Sequence, residues 1–297
     1  MISIKKGVWA SGGFGEQVSE GIITITMSLR TLRQRYRYSI ILLKELVRTD
    51  FKLRYQGSVL GYLWSLLRPL FLFAILYFVF ARFLRVGDTV PHYPVYLLLG
   101  IVLWNYFVEV TSGGVAAIVS KGDLLRKINF PKYVVIFAGS FSALINMVLN
   151  FVVIAFFMII TGVHPTIHGL LLIPLVIELF ILSIGVAFFL SALFVKFRDV
   201  TYIWEVIVQA GFYATPILYP LSIIPYHRVQ EAMMLNPIAQ IVQDARYALI
   251  TPSTQTIYHA YNGRIWVWSV PIGLTLLITG LAGWYFRVQS KHFAEEV

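Results

Sequence analysis

Three carboxylates, Glu109, Glu178 and Glu205, interrupt stretches of sequence that are otherwise apolar. An acid inside such a stretch takes a partner, water or a proton, because leaving it ionised and alone in hydrocarbon costs on the order of 3 kcal/mol or more. Two chemistries fit. One is a proton relay or cation path; the other, preferred here, is hydrogen bonding between helices. His164 and His168 stand four residues apart, as some metal ligands do, but Pro165 and the lack of a third ligand make this a turn rather than a metal site. Gly12, Gly13 and Gly15 form a glycine-rich patch without the lysine or the strand-to-helix setting of a phosphate loop, and no Gly-x-x-x-x-Gly-Lys-Ser/Thr motif occurs. With no cysteine, thiol nucleophiles, disulfides and iron–sulfur ligation are excluded. No Ser/His/acid set can be assigned from spacing, because its members need not be neighbours in sequence.

The elements that must carry these residues are membrane helices. The chain has 297 residues, 58% hydrophobic and 13% charged, against roughly 25% charged in ordinary globular chains. About 20 helical residues cross a hydrocarbon core of about 30 Å. Six segments meet this: 60–81, 93–119, 133–161, 169–195, 201–219 and 265–286. Their apolar runs are too continuous for the alternating strands of a membrane barrel. The expected fold is therefore an all-α polytopic membrane protein, with a 1–59 N-terminal segment, a 60–290 six-span domain and a short 291–297 tail. No cleavable signal is evident, so insertion is expected to rely on the spans.

Charge sets the orientation. There are 24 Lys+Arg against 14 Asp+Glu. Ten of the basic residues lie in the first 59 positions: Lys5, Lys6, Arg30, Arg33, Arg35, Arg37, Lys44, Arg48, Lys52 and Arg54. Lys121, Arg126, Lys127, Lys132, Lys196, Arg198, Arg287 and Lys291 fall on the same side, whereas the other side carries Arg82, Arg85, Arg228, Arg246 and Arg264. By the positive-inside rule both termini are cytoplasmic. Basic residues gathered at span ends are topology determinants beside anionic lipid, not a nucleic-acid surface. Between Tyr36 and Val47, the residues Tyr36, Ile40, Leu43 and Val47 share one helical face, which predicts an amphipathic helix in the cytoplasmic interface. On the outer side, 217–250 is too apolar for a free loop and is broken by Pro220, Pro225 and Pro237, so Val229–Leu235 and Ile238–Leu249 are expected as short re-entrant or interfacial helices.

Several motifs now fall in order. The entry has Asp50, Arg54-Tyr55, Ser58, Leu60-Gly61, Trp64 and Pro69. A connector follows the second span, Gly122-Asp123-Leu124-Leu125-Arg126-Lys127-Ile128-Asn129-Phe130-Pro131. Phe197-Arg198-Asp199-Val200, then Thr215-Pro216-Ile217, Pro220, Asn236-Pro237 and Arg246, complete the series. Over about 50–250 this order resembles the membrane subunit of type-2 ABC exporters of the polysaccharide and teichoic-acid branch. The resemblance implies a bacterial cell-membrane protein that is not itself an enzyme. It would work as a homodimer with two copies of a separate ATPase, which binds the ATP and Mg²⁺ for which this chain has no phosphate loop.

The resemblance also implies roles. Leu124, Leu125, Arg126, Lys127, Phe130 and Pro131 would couple to the ATPase. The cargo would be a polymer on a polyprenyl diphosphate, teichoic acid being preferred and O-antigen or capsule polysaccharide the runner-up. Arg54, Arg68, Arg30, Arg33, Arg35 and Arg37 would attract its phosphates, which suit the planar donor fork of arginine; lipid-headgroup binding explains each of them equally well. Tyr77, Phe78, Trp104, Tyr106 and Phe107 would line a glycan path, although helix packing explains most such aromatics. Pro216, Pro220, Asn236, Pro237 and Arg246 would shape an outer gate. A proton-coupled secondary transporter using the buried glutamates is the alternative from another class.

Overall fold

The computed structural model describes residues 37–50, 52, 58, 60–122, 130–164, 166–291 and 293. Among them there is no strand, and five helical segments are long and apolar enough to cross a membrane: Trp64–Phe83, Tyr93–Val115, Tyr133–Thr161, Ile167–Lys196 and Ile265–Gln289. The fold is all-α and polytopic.

We label the helices α1 (37–50), α2 (Trp64–Tyr77, continued by a π-helical stretch Phe78–Phe83), α3 (Tyr93–Val115), α4 (Tyr133–Ile160), α5 (Leu172–Lys196), α6 (Val200–Ala214), α7 (His227–Met234), α8 (Pro237–Leu249) and α9 (Ser269–Gln289). α3 is the axis of the molecule. It is buried along most of its length and packs on α4, α5, α2, α8 and α6. α5 pairs in turn with α9, and the two backbones approach closely at Gly185. A Cβ there would lie 2.5 Å from Thr279 Oγ1 and 2.7 Å from Thr279 Cα. Thr279 uses the approach to donate to Ile181 O at 3.0 Å, so a small residue and an interhelical hydrogen bond replace the hydrophobic drive that lipid cannot supply.

The predicted fifth span is shorter than 201–219. α6 holds 15 residues, about 22 Å at 1.5 Å per residue, because Thr215 turns extended ahead of Pro216. The segment still runs most of the length of α3. Trp204 Nε1 donates to Thr111 Oγ1 at 3.2 Å near one end of α3, and Ile217 lies against Gly100 near the other.

The predicted N-terminal amphipathic helix is present as α1. Its packed side is Leu42, Leu43, Leu46 and Val47, while Lys44, Glu45, Arg48 and also Ile40 are exposed; Tyr36 lies outside the described residues. α7 and α8 correspond closely to the two short outer helices expected from the prolines. At the other end of the bundle Lys132 Nζ donates to Ser290 O and lies 5.2 Å from the Phe293 ring centroid, tying the start of α4 to the end of α9. Burial there lowers the Lys132 pKa.

Candidate functional site: a polar cavity between three helices

The first span begins with a proline that shapes everything near it. Pro69 lies inside α2 and has no N–H, so the carbonyl four residues back, on Ser65, loses its helical donor. In lipid that loss needs a substitute. Asn150 of α4 supplies one, donating through Nδ2 to Ser65 O at 3.3 Å and to Asn146 O at 2.8 Å. One turn earlier, Asn146 Nδ2 donates to Glu109 Oε1 of α3 at 2.9 Å. A ladder of two asparagines thus joins three helices by polar contacts.

Beside this ladder is a cavity of about 810 Å³, lined on its polar side by Arg68, Asn105, Glu109, Ser112, Asn146 and Asn150, with Trp64, Tyr106 and Val102 among the other walls. A second cavity of about 330 Å³ also touches Glu109 and runs past Gly113 and Gly114 towards Lys121 and Asp50, which form an ion pair at 2.6 Å. Glu109 is the residue common to both. The Tyr106 hydroxyl and Asn146 Oδ1 are buried without hydrogen-bond partners.

The Arg68 side chain is exposed into this space. It falls inside the first predicted span, 60–81, and its neighbours Asn146 and Asn150 lie at and beyond the midpoint of α4. A cation at that level is costly unless water, an anion or another protein surface meets it.

The other expected residues separate into groups. Of the five path aromatics, only Tyr106 lines the cavity. Trp104 and Phe107 are buried and pack on Phe212 and Trp204 of α6, Tyr77 packs between Phe73 and Tyr93, and Phe78 is exposed beside Phe83. Trp104 and Phe107 are packing residues because α3 is enclosed on nearly every side, a fact that aromatic content does not reveal. Of the arginines, Arg37 is exposed on α1, and Arg30, Arg33, Arg35 and Arg54 lie outside the described residues. So do Leu124, Leu125, Arg126 and Lys127. Phe130 is 6% exposed and belongs to the helix core, so it does not protrude as an apolar knob, while Pro131 is half-buried beside it.

The outer residues form a clamp. Arg246 is fully buried, lies 3.5 Å from the Tyr96 ring centroid, and donates to Tyr96 O at 3.0 Å, Pro216 O at 2.6 Å and Ile217 O at 2.6 Å. Desolvation lowers its pKa, opposed by the neighbouring Tyr96 and Tyr93. It ties α8 to α3 and to the 215–217 turn. Gly100 makes room for it: a Cβ at that position would sit 2.5 Å from Arg246 Nη2. Asn236 caps α8 by accepting from Ile238 N at 3.0 Å, with Pro237 as the first helical residue; Pro216 and Pro220 are buried. Of the carboxylates, Glu205 is exposed on α6, and Glu178 faces a separate cavity described below. His164 is exposed, and His168 packs edge-on against Tyr247. Sequence reasoning missed Asn105, Asn146 and Asn150. Their signal was present, since Asn146 and Asn150 are four residues apart on one face of an apolar helix, opposite a span containing Pro69.

Comparison with known proteins gives the family. Residues 41–250 match the model of the family described as ABC-2 type transporter. The chain is 31% identical over 215 residues to the O-antigen export system permease protein RfbA of Myxococcus xanthus, covering 72% of this chain and 82% of that protein. It is 28% identical over 268 residues to the protein of the same name from Klebsiella pneumoniae, covering 89% of this chain and 99% of that one. A more distant relative, the polysialic acid transport protein KpsM of Escherichia coli, is 23% identical over 225 residues, covering 73% of this chain and 84% of that protein. The chain belongs to the ABC-2 type transporter family of membrane permeases.

Proposed function

We propose that this chain is the membrane subunit of an ATP-driven exporter that moves a polyprenyl-diphosphate-linked polysaccharide out across the bacterial cell membrane. It would act as a homodimer with two copies of a separate ATPase, with both of its termini cytoplasmic. The observation that carries the reading is Arg68, next to Pro69 on α2 and exposed to a polar cavity in a bundle of apolar helices. A guanidinium there suits the diphosphate; the asparagine amides and the Tyr106 hydroxyl suit sugar hydroxyls. Because Arg68 is exposed on the cavity side, a facing protomer or the cargo itself would complete its surroundings. Energy transfer from the ATPase falls to the connector at 124–127, with Phe130 anchoring the end of that connector in the core.

Two cargoes stay in view within this class. O-antigen polysaccharide is favoured by the names of the RfbA relatives. Teichoic acid rests on the overall likeness of the sequence to the Gram-positive members of the branch. ATPase activity of the reconstituted complex, titrated with each lipid-linked polymer, separates them. For the true cargo, Arg68→Gln is expected to raise the concentration giving half-maximal stimulation about tenfold, the worth of a charge-assisted hydrogen bond. An unchanged titration would remove Arg68 from the substrate site.

A further inference from the structure

A third cavity, of about 470 Å³, lies between α5, α8, α9 and the helical turn Ile257–Ala260, on residues the export reading does not use. Its rim is apolar and faces outward from the bundle. Leu171, Ile177, Ile272 and Leu276 are all exposed, as residues contacting lipid acyl chains are. Its floor is the reverse. Glu178, Gln240, Asp244 and Thr275 line it, and four of their oxygens, Glu178 Oε1, Gln240 Oε1, Asp244 Oδ1 and Thr275 Oγ1, are buried without a well-formed hydrogen bond. Gln240 and Thr275 are 2% and 1% exposed. Three of these four oxygens are carbonyl or carboxylate acceptors, and buried polar atoms normally find partners.

Two of the polar nitrogens nearby are already engaged. Gln240 Nε2 donates to Asp244 Oδ2 at 2.7 Å, and the His259 Nδ1 is engaged with Thr256 Oγ1 at 2.8 Å. The Trp268 indole and the Ile257 N–H stand close enough to Asp244 to favour its charge, without completing a bond of good geometry to Oδ1. Glu178 and Asp244 are near enough to repel each other. Of the titratable groups lining the cavity, Glu178, Asp244, His259, Tyr247 and Tyr258, none is a lysine or arginine. The floor therefore concentrates negative charge and vacant acceptors behind a greasy entrance. Depth is informative too. Glu178 and Thr275 each stand six residues inside α5 and α9, about 9 Å from the starts of those helices; Trp266 and Trp268 precede α9 and Tyr258 lies on the neighbouring turn, residue types that mark the headgroup level.

We propose that this cavity binds the protonated primary amine of a phospholipid headgroup, with Glu178 and Asp244 as counter-charges, Gln240 Oε1 as a further acceptor, and the acyl chains running over Ile177, Ile272 and Leu276. A primary ammonium has three N–H donors and one positive charge, which matches the floor; a choline headgroup has the charge but no N–H, and a glycerol headgroup has hydroxyls but no charge. The site is independent of the cargo and of Arg68.

The test is native mass spectrometry of the purified full-length chain after exchange into mixed micelles containing equal phosphatidylethanolamine, phosphatidylcholine and phosphatidylglycerol. Wild type is expected to retain phosphatidylethanolamine about tenfold over phosphatidylcholine, the difference made by charge-assisted N–H donors. Glu178→Gln with Asp244→Asn keeps the shapes and is expected to bring that ratio near one. Ile177→Trp, a change at an exposed lipid-facing position that leaves the acids intact, is expected to lower phosphatidylethanolamine retention by blocking the entrance. No preference for phosphatidylethanolamine in wild type, or a preference that survives both variants, would overturn the proposal. Glycerophosphoethanolamine added without acyl chains should displace the lipid only at high excess; displacement at equal concentration would show a soluble-amine site and refute the lipid assignment.

Discussion

Arg246 shows how one buried charge can organise a membrane protein without an acidic partner in bonding contact. Its three hydrogen bonds all end on backbone carbonyls, Tyr96 O in the first turn of α3 and Pro216 O and Ile217 O in the turn after α6, and its flat face lies on Tyr96. Arg246→Met is expected to cost about 3 kcal/mol or more, because three buried acceptors lose their donors at once. That cost would be read as a fall of several degrees in the unfolding midpoint of the detergent-solubilised chain. Gly100→Ala should do similar damage by pushing a Cβ into the same guanidinium, and the double variant should cost clearly less than the sum of the two; additive losses would separate the residues. Asp244 supplies a pH test. Burial lifts its pKa from 3.8 to about 6, so between those values the folded chain holds a proton that the unfolded chain releases. Its contribution to stability therefore falls as pH rises from about 4 to about 6 and is least favourable above that. Without aminolipid, Asp244→Asn should be the more stable form at pH 7.5, with the gap closing towards pH 4.5, as followed by thermal melts across pH.

At the level of helices, much of the architecture was legible. Length and continuous apolarity gave the spans, and prolines gave the boundaries of α7 and α8. The fifth span came out too long, because Thr215 is held extended before Pro216 and the turn that follows is pinned by Arg246. The amphipathic face of α1 was also read one position off in places: Leu46 is its most buried residue and Ile40 is exposed, since the neighbouring bundle, not the helix alone, decides which side is covered. The candidate site was less legible. Arg68 and Tyr106 were singled out from sequence, but the asparagine ladder beside them depends on the Ser65 carbonyl ahead of Pro69 on one helix meeting Asn150 of another, a pairing no single segment displays. Asn150→Leu tests that ladder. It leaves Ser65 O without this donor and is expected to destabilise the chain by about 1–2 kcal/mol, with substrate-stimulated ATPase activity falling as Arg68 loses its position. Normal stimulation in a stable Asn150→Leu variant would show that the ladder serves packing only.

For the whole molecule, the working picture is a helix bundle whose centre, α3, divides two polar regions: the Arg68 cavity against α2 and α4, and the acid-floored cavity against α5, α8 and α9. The first is assigned to cargo and the second to a structural lipid, so their variants should behave independently. The secondary-transporter alternative makes the opposite demand, since it needs the membrane carboxylates for turnover and no ATPase. Transport in proteoliposomes holding this chain, its cognate ATPase and a fluorescent polyprenyl-diphosphate oligosaccharide distinguishes the two most directly. Export is expected only with ATP, Mg²⁺ and the ATPase present, with no response to an imposed proton gradient. Movement of the oligosaccharide by this chain alone, driven by that gradient, would contradict the account.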